Sequence, residues 1–225
     1  MKIIKVGASV TQSNDRDAAL LREELRAKGQ LMVNLMSSPG SGKTTLLSRL
    51  ITDMKDVKIA VMEADIESAV DAERIEALGA QAIQVHTDGM CHMDAGMTRA
   101  SLEALEDDGA ELVFLENVGN LICPAEYDTG AGLNMMILSV PEGDDKPLKY
   151  PLMFEKSEAL VITKTDALPY FRFDTALCAA RAKKLNPSIN IFPVSAKTGE
   201  GMKELEGWLR KRLDAWQAGK GTNHA

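Results

Sequence analysis

Several features that would point to a membrane, an extracellular setting or an extended charged surface are missing from this sequence. No apolar run approaches the ~20 residues that span a bilayer, and the opening MKIIKVGASV lacks the apolar stretch of a secretory core. A cytoplasmic protein with no membrane contact is therefore expected. Cysteine is scarce, with Cys91, Cys123 and Cys178 alone, and an odd number in a reducing compartment argues against a disulfide framework. Excess positive charge is absent too. Lys plus Arg number 26 against 33 for Asp plus Glu, a formal charge of -7, which excludes broad binding to nucleic acid and leaves a small anion held by a local site. Aromatics are only 4% while methionines number 12, so the core is expected to be aliphatic with thioethers filling its gaps. Neither an internal repeat nor a low-complexity block is present.

What remains is a chain of 225 residues, 45% hydrophobic, enough for one substantial core. Residues 15 to 27 place Leu20, Leu21 and Leu25 at helical spacing among charges, which predicts a leading amphipathic helix ended by Gly29. Seven short apolar runs follow: 31–36, 58–62, 82–85, 111–116, 135–140, 159–163 and 190–194. Helix-like stretches lie between many of them. That alternation predicts an α/β fold with a mostly parallel sheet of about seven strands flanked by helices in three layers. The expected organisation is a leading helix over 1–28, one domain over 29–217 and a flexible tail over 218–225, with residues 141–151 as a surface loop. His224 belongs to that tail.

The first strand runs into SSPGSGKTTLL, where Gly40, Ser41, Gly42, Lys43, Thr44 and Thr45 fit the later part of the phosphate loop G-x-x-x-x-G-K-[ST], with Ser37 in the place of its first glycine. Small residues let backbone N–H groups wrap phosphate at a helix N-terminus. Lys43 is expected on the β and γ phosphates and Thr44 on magnesium. Magnesium also needs carboxylates from neighbouring strand ends. Asp65, after the 58–62 strand, and Glu116, ending the 111–116 strand, are the candidates. Glu116 with Gly119 resembles the D-x-x-G switch with Glu for Asp, so the Gly119 amide is placed to sense a γ-phosphate. Asp71 reads equally as a water-positioning group or a helix cap.

The strand at 159–163 ends in Thr163-Lys164-Thr165-Asp166, a variant of the N-K-x-D guanine motif, and the last strand is followed by Ser195-Ala196-Lys197. A carboxylate at Asp166 accepts from both N1–H and the 2-amino group of guanine, a pair of donors that adenine lacks, so GTP is expected over ATP. Thr163 in place of Asn leaves open how this loop is tethered. Cys91 and His92 follow the 82–85 strand, and Cys123 lies four residues past Gly119. Cys, His and Cys suit Ni²⁺ or Zn²⁺. The competing reading is two buried cysteines and a surface histidine. Cys178, among alanines in a helix, reads as core, and His86 as at most an outer partner.

With these residues in view, the phosphate loop SSPGSGKTT, the ADIES and DAERI stretches, Cys91-His92-Met93-Asp94-Ala95 and above all ENVGNLICPAEYDTG resemble the GTPases that assist nickel insertion during maturation of nickel-iron hydrogenases, a P-loop family related to the urease accessory GTPase. The resemblance spans most of the chain. It implies a GTP- and Mg²⁺-binding switch that forms nucleotide-dependent homodimers, with Cys91, His92 and Cys123 as metal ligands at the dimer interface. Lys43, Thr44, Asp65, Glu116 and Asp166 inherit nucleotide roles. The implied partners are a nickel-binding accessory chaperone and the hydrogenase large-subunit precursor. Gly96 stands where the family's usual second histidine would be, and the N-terminal region has no histidine- or cysteine-rich metal store. The urease accessory GTPase uses Cys-Pro-His, unlike the contiguous Cys-His here. A metal-delivery module with vestigial hydrolysis and a P-loop kinase are the remaining alternatives.

Overall fold

Seven apolar runs of four to seven residues can bury both faces only if helices cover each side of the sheet they form. The computed structural model describes residues 6–64, 69–105 and 109–219, and it has that arrangement. Strands β1 (Leu31–Ser37), β2 (Ile59–Glu63), β3 (Gln81–Gln84), β4 (Leu112–Glu116), β5 (Leu133–Ser139), β6 (Ala159–Thr163) and β7 (Asn190–Pro193) form one sheet in the order β3-β2-β4-β1-β5-β6-β7. Every pairing is parallel. The helices are α1 (Val6–Lys28), α2 (Lys43–Asp53), α3 (Ala69–Glu76), α4 (Ala95–Ala104), α5 (Cys123–Glu126), α6 (Lys146–Lys149), α7 (Pro151–Glu155), α8 (Thr175–Leu185) and α9 (Met202–Ala218). Tight 3₁₀ turns occupy Val140–Glu142 and Thr165–Tyr170.

Two apolar clusters hold these layers together. One packs Leu46, Leu47 and Leu50 of α2 and Leu205, Leu209 and Leu213 of α9 against the central strands, with Leu21 and Leu25 of α1 in the same cluster. The other joins Met36, Met136, Leu138, Leu160 and Ile162 to Phe154 of α7 and Cys178 of α8. Met32, Met36, Met54, Met62, Met135, Met136 and Met153 are all buried, so thioethers do fill the core where aromatics are few. Cys178 is a core residue, as its alanine neighbours suggested.

The structure differs from the sequence reading in several places. α1 begins at Val6 rather than 15, and its buried stripe is Ala18, Leu21 and Leu25, whereas Leu20 is half exposed. Spacing of three and four residues selects that stripe, and Leu20 lies one residue off it. α1 is also held by polar contacts: Asn14 Nδ2 donates to Asp128 O at 2.9 Å, Asn14 Oδ1 accepts from Ala95 N at 2.9 Å, and Arg22 Nε donates to Ala131 O at 2.7 Å. Residues 141–151 are not merely a loop, because Pro147 and Pro151 open the short helices α6 and α7, where proline's missing N–H costs nothing. α9 continues to Ala218, past the expected boundary, and the expected tail from residue 220 on, with His224, lies outside the described residues.

α4 begins directly after the Cys91–His92 loop, and Asp94 caps it: Oδ1 accepts from Met97 N at 2.8 Å. Asp94→Ala should lower stability by about 1 kcal/mol, and Asp94→Asn by much less, since the amide oxygen can still cap. Urea denaturation of the two variants checks this, and equal loss in both would contradict the capping role.

Candidate functional site

Because all seven strands run parallel, their C-terminal ends meet along one edge, and the candidate residues lie in the loops that leave it. The loop after β1 is braced from within and from its neighbours. Ser41 Oγ donates to Ser37 Oγ at 2.8 Å and Ser37 Oγ to Ser38 O at 2.9 Å, so Ser37 serves as a hydrogen-bonding pivot where the general motif has glycine. Gly40 and Gly42 both hold positive φ, which turns the loop into the start of α2. Lys43 is buried, with its Nζ 3.7 Å from Glu116 Oε1. Thr44 is half-buried and Thr45 exposed at the first turn of α2.

Glu116 does not stand alone. β2 and β4 place Glu63 in register beside it, and both carboxylates are buried. Carboxylate oxygens at this edge, beside the hydroxyl of Thr44, are the donor chemistry that fits a magnesium ion. Asp65 lies outside the described residues; Asp71 falls in α3, but its side chain is outside them as well. Gly119 sits against the phosphate loop so closely that a Cβ there would lie 2.9 Å from Pro39 Cγ and 3.1 Å from Pro39 N. Only glycine permits this approach, and it makes the segment after β4 answer to any movement of the loop after β1.

The two loops assigned to the base also converge. Asp166 Oδ1 accepts from Ser195 Oγ at 2.7 Å, which fixes the carboxylate plane while leaving acceptor capacity for ring donors. Ser195 is buried, Ala196 half-buried and Lys197 exposed beyond it. Lys164 adopts a left-handed backbone and its Nζ donates to Gly40 O at 2.7 Å. Thr163 answers the question of the tether, because its Oγ1 donates to Ser41 O at 2.7 Å. A threonine hydroxyl thus links the base loop to the phosphate loop where the motif's asparagine would do so.

At the other end of the edge, Cys91, His92 and Cys123 come together, with one donor atom from each lying within 4.8 Å of the others. They are the one such group of metal-ligating side chains among the described residues, and exposed His86 is not part of it. Two thiolates on one tetrahedral ion stand ~3.8 Å apart, so donors that all lie within 4.8 Å of one another are close to the spacing that holds one. The burial pattern reverses the competing reading: Cys91 is exposed, His92 buried and Cys123 intermediate. Tyr127 stacks on His92 with ring centroids 3.7 Å apart, and Asn120 Nδ2 donates to Cys123 Sγ at 3.5 Å. Burial pulls the His92 pKa below the usual histidine value against the opposing pull of Asp94 and Glu126, which keeps the ring neutral and available as a ligand. The nearby Cys91 thiol, then burial, push the Cys123 pKa above its ordinary value.

Sequence reasoning missed four residues here: Glu63, Tyr127, Asn120 and Asn117. Asn117 is fully buried between the two sites and bonds to Asn34 of β1. The signal lay in LMVNLM, where one amide interrupts an otherwise apolar strand.

Residues 31–193 match the model of the CobW/HypB/UreG nucleotide-binding domain. The hydrogenase maturation factor HypB of Escherichia coli K12 is 46% identical over 209 residues, covering 92% of this chain and 72% of that protein. The hydrogenase/urease maturation factor HypB of Helicobacter pylori J99 is 40% identical over 222 residues, covering 96% and 91%. Among solved structures, HypB from Helicobacter pylori in complex with nickel superposes with a TM-score of 0.85 at 38% identity, covering 95% of this chain and 99% of that one. The fold is thus that of HypB P-loop NTPases.

The three thiols should differ in reactivity, because the thiolate is the nucleophile and must be reached. Burial pushes the Cys178 pKa up to about 12. In metal-free protein near neutral pH, iodoacetamide should modify Cys91 first, Cys123 more slowly and Cys178 only after unfolding. Peptide mass mapping over time checks the order, and labelling of Cys178 in folded protein would contradict it.

Proposed function

Since the chain belongs to the CobW/HypB/UreG nucleotide-binding family, we propose that it is a GTP-hydrolysing metallochaperone that assists nickel insertion into the nickel-iron hydrogenase large-subunit precursor. The observation that carries this reading is the shared segment after β4: Glu116 faces Lys43, Gly119 rests on the phosphate loop, and Cys123 joins Cys91 and His92. Only residues 117–122 separate Glu116, on the nucleotide side, from Cys123, on the metal side. Relatives named as hydrogenase maturation factors, and one solved with nickel, support the cargo and the target. The Helicobacter pylori relative's name joins hydrogenase with urease, so the contiguous Cys-His motif does not by itself separate the two targets; the relatives named for hydrogenase alone favour the hydrogenase precursor.

In this mechanism the amides around Gly40 to Gly42 and the Lys43 ammonium bind the phosphates, while Asp166, fixed by Ser195, selects guanine. Thr44, Glu116 and Asp65 would hold Mg²⁺, which would supply positive charge to offset that of the phosphates. Asp71 is the candidate for positioning the attacking water. A γ-phosphate contact at the Gly119 amide orders the segment after β4, favours a homodimer and reshapes the Cys91, His92 and Cys123 site; hydrolysis releases it. Three donors from one chain leave room for a fourth from a second copy, from the accessory chaperone that supplies nickel, or from water.

Sedimentation in GDP and in a non-hydrolysable GTP analogue, with and without Ni²⁺, tests the switch. Doubling of mass with the analogue is expected, and one constant mass in all four conditions would remove the dimer from the mechanism. Asp166→Asn tests the base: it should weaken GTP binding at least ~10-fold, because an amide nitrogen faces ring donors, while improving xanthine nucleotide binding. Fluorescent-nucleotide titration reads both, and undiminished GTP preference would overturn the assignment.

A further inference from the structure

Asn117 lies between the nucleotide and metal segments without touching either ligand's expected position. Its Oδ1 accepts from Val118 N at 2.9 Å and from Met93 N at 3.2 Å, and its own N donates to Leu35 O at 3.1 Å. Its Nδ2 donates to Asn34 Oδ1 at 2.9 Å, and Asn34 Nδ2 donates in turn to Asn134 Oδ1 at 3.0 Å. The direction of this ladder is fixed at one end. Two backbone N–H groups can only donate, so oxygen must face them, and each amide down the row is oriented by the one before. Asn117 and Asn34 are both buried, where an unpaired amide is costly.

One oxygen atom therefore carries two loops. Met93 follows the ligands Cys91 and His92 directly, and Val118 directly precedes Gly119, which rests on Pro39. An oxygen that moves with Val118 must draw Met93 after it or break a buried hydrogen bond. Resting on the function proposed above, we propose that Asn117 is a positioning residue that transmits the conformation of the Glu116–Gly119 segment to the Cys91–His92 loop and so sets how strongly nucleotide state changes metal affinity. The connection through Cys123 runs along the chain; Asn117 supplies a second connection, across space, to the ligands on the other loop.

The test is a competition titration of Ni²⁺ against a chromophoric chelator, in GDP and in a non-hydrolysable GTP analogue. The unmodified protein should show nickel affinities that differ ~5- to 100-fold between the two nucleotides. In Asn117→Ala that ratio should fall to within about twofold of one, while nucleotide affinity and nickel affinity without nucleotide change by no more than a few-fold. A parental ratio retained in the variant overturns the inference. Nickel binding in the unmodified protein with no nucleotide dependence also overturns it but leaves the metal site standing, whereas no nickel binding at all overturns the underlying function and the inference together. Should the variant fail to fold, amide hydrogen exchange in the unmodified protein decides: protection at Met93 should change between the two nucleotides while that at Leu35 does not, and equal Met93 protection in both states overturns the proposal.

Discussion

The site depends on one constraint, that β1 lies between β4 and β5 and is hydrogen-bonded in parallel to both. Register then fixes the rest. Leu35 pairs with Glu116, so the carboxylate emerges beside the loop that carries Lys43, and Gly119 is brought against Pro39. β2 repeats the relation one strand further out by setting Glu63 beside Glu116. A slip of one residue in the β1–β4 pairing would turn Glu116 to the opposite face and remove Lys43's partner. Buried apolar residues on both faces of every central strand make such a slip expensive.

Within that frame the buried charges are not an efficient source of stability. Taking Lys43, Glu63 and Glu116 out of water carries a desolvation cost, and buried ionic groups of this kind are often no more stabilising than apolar residues of equal volume. Their arrangement makes sense as a receptacle for an anion with its cation. The overall charge of -7 does not conflict with this, because the proposed phosphate site would draw on a few oriented amides and one lysine rather than on the mean field of the surface.

Much of the fold was legible because parallel strands advertise themselves: runs such as ALVIT and LVFLE are apolar throughout, and the structure begins and ends β6 at the residues expected. The site was legible where chemistry demands particular residue types at short spacing, as in Gly-Lys-Thr or Cys-His. What escaped was set by long-range geometry. Thr163 reaches Ser41, 122 residues earlier, and no local pattern reveals that its hydroxyl replaces an amide tether. Tyr127 stacks on His92 from a different loop, and the polar contacts of Asn14 and Arg22 to the segment around Asp128 explain why α1 is longer and turned differently than its leucines suggested. The asparagine ladder illustrates the same limit: each amide looks like an interruption in its own strand and becomes a continuous path only when β4, β1 and β5 are adjacent.

The Cys91, His92 and Cys123 cluster has properties that suit the proposed role of taking up and releasing a metal. Cys91 is exposed, and Cys123 begins a helix of only four residues. The raised Cys123 pKa means that a metal entering near neutral pH must displace a proton from the thiol, which lowers apparent affinity and makes it fall as the solution becomes more acidic. His92 acts in the other direction. Its depressed pKa leaves the ring neutral to lower pH than a free histidine, so its nitrogen stays available to a metal while the Cys123 thiol is still protonated. Tyr127 restricts the ring's motion on one side, and Asp94 anchors the chain two residues beyond it. The proposed site thus combines His92, held by Tyr127 and the Asp94 cap, with two less constrained cysteines, and Cys123 is attached to the segment that contacts the phosphate loop. A displacement of that segment would therefore act directly on one of the three proposed metal donors.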